Sequence, residues 1–176
     1  VVVSLGSADR ESQRVKINAN KYIWMNVNTG NHPDIALFQL ASHAPSSSSI
    51  RPIRVPRLNQ EHFKFEGAVA TAVGWGGVGG GRLSRYLQHT QFNILTTSQC
   101  NLGDNFICSQ PPSGSRGPSL EGGDSGGPLI ITENGKPTLI GINVVVVTGA
   151  GLRYQGSTRV SSFLRFIHEV TGIAFR

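Results

Sequence analysis

The sequence predicts an all-β protein with one terminal helix, and three observations carry that prediction. Short runs of alternating or continuous apolar residues recur along the chain, each bounded by glycine, proline or asparagine. The 22 glycines and 9 prolines among 176 residues supply the punctuation that many tight turns require. Only one stretch, close to the C-terminus, has helical periodicity.

Strands are expected at 1–5, 15–17, 22–27, 35–40, 68–75, 87–95, 129–132 and 139–147. The first is a valine-rich run stopped by Gly6, and the second alternates Val15-Lys16-Ile17. The third and fourth are rich in aromatic and branched residues. Between them and the fifth lies the most linker-like stretch, 45–56, with its four consecutive serines. The fifth strand stops at a glycine-rich loop, the sixth carries Phe92 and Ile94 one residue apart, and the last two are nearly continuous apolar runs. The helix is expected over 161–171, where Phe163, Ile167 and Val170 share a face, Ser161 or Ser162 caps the start and Gly172 ends it. No repeat of fixed period emerges. Many short strands of this kind make a barrel or a sandwich.

A formal charge of +6 raises the question of nucleic acid. Its distribution argues against that partner: Arg51, Arg54 and Arg57 alternate with Pro52 and Pro56, the other basic residues are scattered, and no aromatic stacking platform accompanies them. No run of 18 apolar residues suggests a membrane span. The composition, 38% hydrophobic and 15% charged, is that of a globular chain.

Residues 122–129 read Gly-Gly-Asp-Ser-Gly-Gly-Pro-Leu. Glycines on both sides leave the Ser125 hydroxyl uncrowded and allow the N–H groups of Gly123 and Ser125 to turn toward one point, where an oxyanion would sit. This octapeptide resembles the nucleophile signature of the chymotrypsin-like (trypsin family) serine proteases. His32-Pro33-Asp34-Ile35-Ala36-Leu37 is similar to that family's Asp-Ile-Ala-Leu segment, and Gly74-Trp75-Gly76, Cys100, Cys108 and Thr158-Arg159-Val160 follow in the family's order. The wording of 135–141 and of the tail is most similar to insect digestive chymotrypsins. The resemblance covers essentially the whole chain.

The resemblance implies two antiparallel β-barrels, the first incomplete, with a closing C-terminal helix. Residues 1–44 are then the later part of the first barrel, 45–65 the connector, and 66–176 the second barrel and helix. It implies Ser125 as nucleophile, Asp34 as the carboxylate that orients a catalytic imidazole, Gly123 and Ser125 as the oxyanion hole, and Asp124 as partner of an activating α-amine. It pairs Cys100 with Cys108, which points to an oxidising compartment and secretion; the spacing is not that of a zinc site. Two free buried thiols are the alternative. Ser119 would be the neutral floor of the specificity pocket, favouring apolar or aromatic side chains. Val144, Val145 and Val146 would form its edge strand, Val146 narrowing the mouth. No metal or cofactor is implied; the partners are a polypeptide substrate or a protein inhibitor.

Several family features have no counterpart here. Nothing matches the histidine in its Ala-Ala-His-Cys context or the Ile-Val-Gly-Gly terminus, and Glu121 stands where a cysteine staples the pocket. Loss of one member of a Ser-His-Asp unit costs about 10⁶ in turnover, so residues 1–176 alone are expected to be nearly inert. A half-exposed first barrel implies a preceding segment, on the same chain or as a separate one. The five histidines, His32, His43, His62, His89 and His168, read as surface or packing residues. Three competing readings are weaker or differ in class. Gly74 to Gly79 fits G-x-G-x-x-G, but no helix is expected after it. Gly123 to Gly127 fits the α/β-hydrolase elbow, but Gly126, Gly127 and Pro128 oppose the helix it needs. A non-catalytic serine protease homologue that binds or regulates is the remaining alternative.

Overall fold

The computed structural model describes residues 1–25, 34–112, 119–149 and 152–175. Within them lie β1 (Val2–Leu5), β2 (Val15–Trp24), β3 (Ala36–Leu40), β4 (Val69–Gly74), β5 (Gln88–Ile94), β6 (Phe106–Gln110), β7 (Pro128–Glu133), β8 (Lys136–Gly149), β9 (Leu152–Arg159) and one helix, α1 (Leu164–Thr171). The first three strands form an open antiparallel sheet in the order β1-β2-β3. The other six close into an antiparallel barrel in the order β4-β5-β6-β9-β8-β7. The class is all-β with a terminal helix, as the sequence predicts.

The barrel closes around residues that alternate inward. On β4 Ala70 and Ala72 are buried, on β5 Phe92 and Ile94, and on β7 Leu129 and Ile131. Small alanines opposite a fully buried phenylalanine let the walls approach without voids. Two strands, β6 and β9, escape the sequence pattern. Ile107, Cys108 and Ser109 on β6 are all buried, so no alternation shows. On β9 Gln155, Ser157, Thr158 and Arg159 are buried although polar; Ser157, Thr158 and Arg159 are hydrogen-bonded there, to Asn143 Oδ1, the Asp34 carbonyl and Ser162 Oγ. The runs 15–17 and 22–27 merge into the single strand β2, with an irregularity between Ala19 and Lys21; positions 26 and 27 lie outside the described residues.

The helix needs one correction. Residues 160–163 form a 3₁₀ turn, and α1 begins only at Leu164. Neither serine caps it: Ser161 donates to the Phe63 carbonyl, and the Ser162 hydroxyl accepts from Arg159 Nε at 2.8 Å. Gly172 does end it, at φ +70° with its N–H on the His168 carbonyl. Val160, Leu164 and Phe175 pack on Leu139 and Ile142, fixing the helix to the barrel wall.

Polar contacts join the open sheet to the barrel. Ala8 O accepts from Trp75 Nε1 and from the Leu87 N–H, while Asp9 holds the Arg85 guanidinium with contacts of 2.8 to 3.2 Å. Tyr22, Trp24 and Phe38 cluster on the opposite, exposed side of the sheet. No helix among the described residues is long and apolar enough to cross a membrane.

Candidate active site

Ser125 lies in the tight turn that delivers the chain into β7, held by β8. Gly126 N–H donates to Asn143 O and Asn143 N–H donates back to Gly127 O, both at 2.8 Å. Asp124 N–H bonds Glu121 O and Gly127 N–H bonds Asp124 O. The N–H groups of Gly123 and Ser125, which alternate with these, have no acceptor among the described residues. Two donors are thereby left beside one exposed hydroxyl, itself 3.4 Å from Val144 O. Gly123 sits at φ +99°, and a β-carbon there would stand 2.9 Å from Leu83 Cδ2, so any other residue would be strained at this position. The chain continues into a strand and not a helix, which is not the elbow of an α/β-hydrolase. Nor does a helix follow Gly74 to Gly79.

Asp124 turns inward beneath this turn. Its Oδ1 accepts from Gly76 N–H at 2.8 Å and its Oδ2 from Glu121 N–H at 3.0 Å. Among the described residues no cation pairs with it. The Gly74-Trp75-Gly76 run is thus explained by what sits against it: a β-carbon on either glycine would fall within 2.4 Å of the carboxylate.

Asp34 lies two residues before β3, and its carbonyl accepts from Thr158 Oγ1 at 3.1 Å. Thr158 pairs with Ile142 across the β8–β9 ladder, and the next residue, Asn143, holds Gly126. Asp34 and Ser125 are therefore brought to the same end of one ladder. Of the histidines, His32 lies outside the described residues. His168 Nδ1 is engaged by Ile173 O, and among the described residues none contacts Ser125.

A cavity of about 470 Å³ opens beside Ser125, lined by Leu120, Glu121, Val144, Val146, Thr148 and Arg153, among others. Val146 also packs on the barrel core; Val145 is on the same strand, paired with Gly156. Ser119 does not line this cavity but contacts two of the residues that do. Its hydroxyl accepts from Arg153 Nη2 and donates to Glu121 Oε1 at 3.1 Å, and Arg153 and Glu121 pair at 3.5 Å. Sequence reasoning missed Arg153 because it missed β9. The alternation of that strand, once placed opposite Thr148, is the signal that finds it. Cys100 and Cys108 form a disulfide that ties a 3₁₀ turn (Thr97–Gln99) to β6.

An exposed serine in a glycine-rich turn entering β7, two N–H donors unused among the described residues, and an aspartate whose backbone carbonyl meets the adjoining β8–β9 ladder lie at one end of a closed antiparallel β-barrel. The family model described as Trypsin matches residues 1–167, and the chain belongs to that family. It is 32% identical to a collagenase of Hypoderma lineatum over 188 aligned positions, spanning 99% of this chain and 68% of the relative. It is also 32% identical to Serine protease 1 of Drosophila melanogaster, over 84% of this chain and 57% of the relative. The chain thus spans about three-fifths of the length of these curated relatives. A solved structure titled HL collagenase superposes with a TM-score of 0.77 at 27% identity, covering 99% of this chain and 77% of that one.

Proposed function

We propose that this chain supplies the nucleophile, oxyanion hole and orienting carboxylate of a secreted serine endopeptidase. The observation that carries the reading is the pattern of backbone donors: the N–H groups of residues 124, 126 and 127 are all occupied, while those of Gly123 and Ser125 are not. In the proposed reaction Ser125 Oγ attacks the peptide carbonyl and its proton passes to an imidazole outside residues 1–176. The oxyanion is held by the Gly123 and Ser125 N–H groups, and the tetrahedral species collapses as the imidazole protonates the leaving amine. Water then cleaves the acyl-serine by the same route. Asp34 keeps the imidazole in the tautomer that can accept the proton. The disulfide and the family both favour an extracellular site of action.

The test uses the protein expressed from its complete coding sequence. An active-site fluorophosphonate labels Ser125 and peptides are cleaved; Ser125→Ala abolishes labelling and lowers turnover by about 10⁶, and Asp34→Asn lowers it by about 10⁴. Residues 1–176 alone turn over near background. A folded complete protein whose Ser125 stays unlabelled would overturn the reading. It would favour the second one, a binding or regulatory homologue, for which the specific observation is that no described histidine reaches Ser125.

A further inference from the structure

The cavity beside Ser125 is polar on its walls and polar behind them. Arg153 and Glu121 are each about half-exposed, at 52% and 53%, so both remain accessible to an incoming group. Only Nη2 of the guanidinium is engaged: Nε and Nη1 of Arg153 have no acceptor among the described residues. Glu121 uses Oε1 alone, for Ser119 and for Arg153, leaving Oε2 without a donor among the same residues. A set of cationic donors and an anionic acceptor therefore stand side by side on one wall.

A second layer lies beneath. Gln155 follows Arg153 by two residues on β9, hence on the same face, and sits opposite Val146 on β8 and Ser109 on β6. It is fully buried, yet neither its Oε1 nor its Nε2 has a partner, and the same holds for Ser109 Oγ. Buried polar groups in this condition favour a neighbour that can hydrogen-bond and penalise one that cannot.

We propose that this cavity selects a carboxamide side chain, glutamine or asparagine, at the substrate residue whose carbonyl Ser125 attacks, with Arg153 donating to the amide oxygen and Glu121 accepting from the amide nitrogen. The inference rests on the endopeptidase reading above. Other side chains each meet an obstacle. A charged side chain, basic or acidic, meets one like and one opposite charge, so the balanced pair gives no net attraction to offset its desolvation. Phenylalanine or leucine would have to desolvate the ion pair and give nothing back to it. A neutral side chain with a donor and an acceptor matches both members at once, as a site built from hydrogen-bonding groups requires.

The experiment compares kcat/KM for peptides that differ only at this residue, Gln, Glu, Lys or Phe, using the complete protein. Gln is expected to exceed each of the others by about tenfold or more. Glu121→Gln removes the negative member and raises the Glu-to-Gln ratio about tenfold, whereas Arg153→Gln raises the Lys-to-Gln ratio by a similar factor. Ratios taken within one preparation cancel any misfolded fraction, and Arg153→Lys, which keeps the charge and loses the planar fork, lowers the Gln preference without admitting Lys. Preferred cleavage after Phe or Lys, or ratios unmoved by both substitutions, overturns this inference alone. Cleavage of no peptide, with Ser125 unlabelled, overturns the endopeptidase reading and takes this inference with it.

Discussion

Replacing Gly76 by alanine tests whether the Asp124 carboxylate is the internal support of the Ser125 turn. The added methyl would stand 2.3 Å from Cγ and 2.4 Å from both carboxylate oxygens, against the 3.4 Å at which ordinary contact begins. An overlap of that size cannot be absorbed in place. Asp124 has a short side chain held at both oxygens, by Gly76 N–H at 2.8 Å and Glu121 N–H at 3.0 Å, so it must give up at least one bond to move. Overpacking typically costs about 1–3 kcal/mol, and a hydrogen bond to a charged group contributes about 1.5–3 kcal/mol. Partial relaxation makes the sum smaller than its parts, so Gly76→Ala should destabilise by roughly 2–4 kcal/mol. Gly122→Ala is the matched control, because a β-carbon there meets nothing within 4 Å and its φ is not positive; it should cost under about 0.5 kcal/mol. Urea unfolding followed by tryptophan fluorescence measures both, with Trp75 adjacent to the substituted site. The decisive arm is the double variant: in an Asp124→Ala background the methyl has room, and the Gly76→Ala penalty should largely vanish. A penalty that persists undiminished there, or equal effects at Gly76 and Gly122, would show that contact with the Asp124 carboxylate is not what excludes a side chain at position 76.

Two other predictions follow from the contacts that hold the molecule together. The Asp9 carboxyl is held at about 2, below its ordinary 3.8, first by the hydrogen bonds from Arg85 and then by the Glu11 backbone N–H. A depressed carboxyl stabilises the fold fully above its unfolded value and loses that contribution as pH falls through the folded one. Wild type should therefore exceed Asp9→Asn in unfolding midpoint at pH 6, with the gap closing between about pH 4 and pH 2; a gap that stays constant over that range argues against the contact. For the Cys100–Cys108 bridge, whose partners are 8 residues apart, the chain-entropy relation gives about 2–3 kcal/mol. Substituting both cysteines by serine should lower the urea midpoint accordingly, and an unchanged midpoint would show that the bridge does not restrain the unfolded chain.

Much of the barrel was legible because its inner faces alternate in sequence. Ala70 and Ala72, Phe92 and Ile94, Leu129 and Ile131 all repeat at the period a pleated strand imposes. β9 was illegible for the opposite reason: its Gln155, Ser157 and Thr158 are polar and show no apolar alternation, and the partners that let Ser157 and Thr158 be buried, Asn143 Oδ1 and the Asp34 carbonyl, are distant in sequence. The tight turn at Ser125 was legible from its glycines, since few other residues tolerate the φ of +99° at position 123. What lay outside local reading was the content of the cavity. Glu121 was visible only as a missing cysteine, and nothing in its neighbours in sequence brings it to Arg153, 32 positions away. A contact between a turn and a distant strand becomes visible only when register places them together.

That register also explains how a rigid barrel presents an exposed hydroxyl. On the β8–β9 ladder Asn143 pairs with Ser157 and Val145 with Gly156, so Val144 is an extra residue in β8. Such a bulge bends its strand and re-aims one peptide unit. Here the freed carbonyl is the one that faces the Ser125 hydroxyl. On one side of the bulge, Asn143 grips the Ser125 turn with its backbone, while its Oδ1 accepts from Ser157 Oγ at 3.1 Å. On the other side, Val146 and Thr148 face the cavity opposite Gln155 and Arg153. Removing Val144 would leave both pairings in register but straighten the strand between them. The hydroxyl would lose its neighbour and the cavity would turn relative to Ser125, although no side chain named in either had changed. The position of one extra backbone unit thus joins the barrel's hydrogen bonding to the geometry of its site.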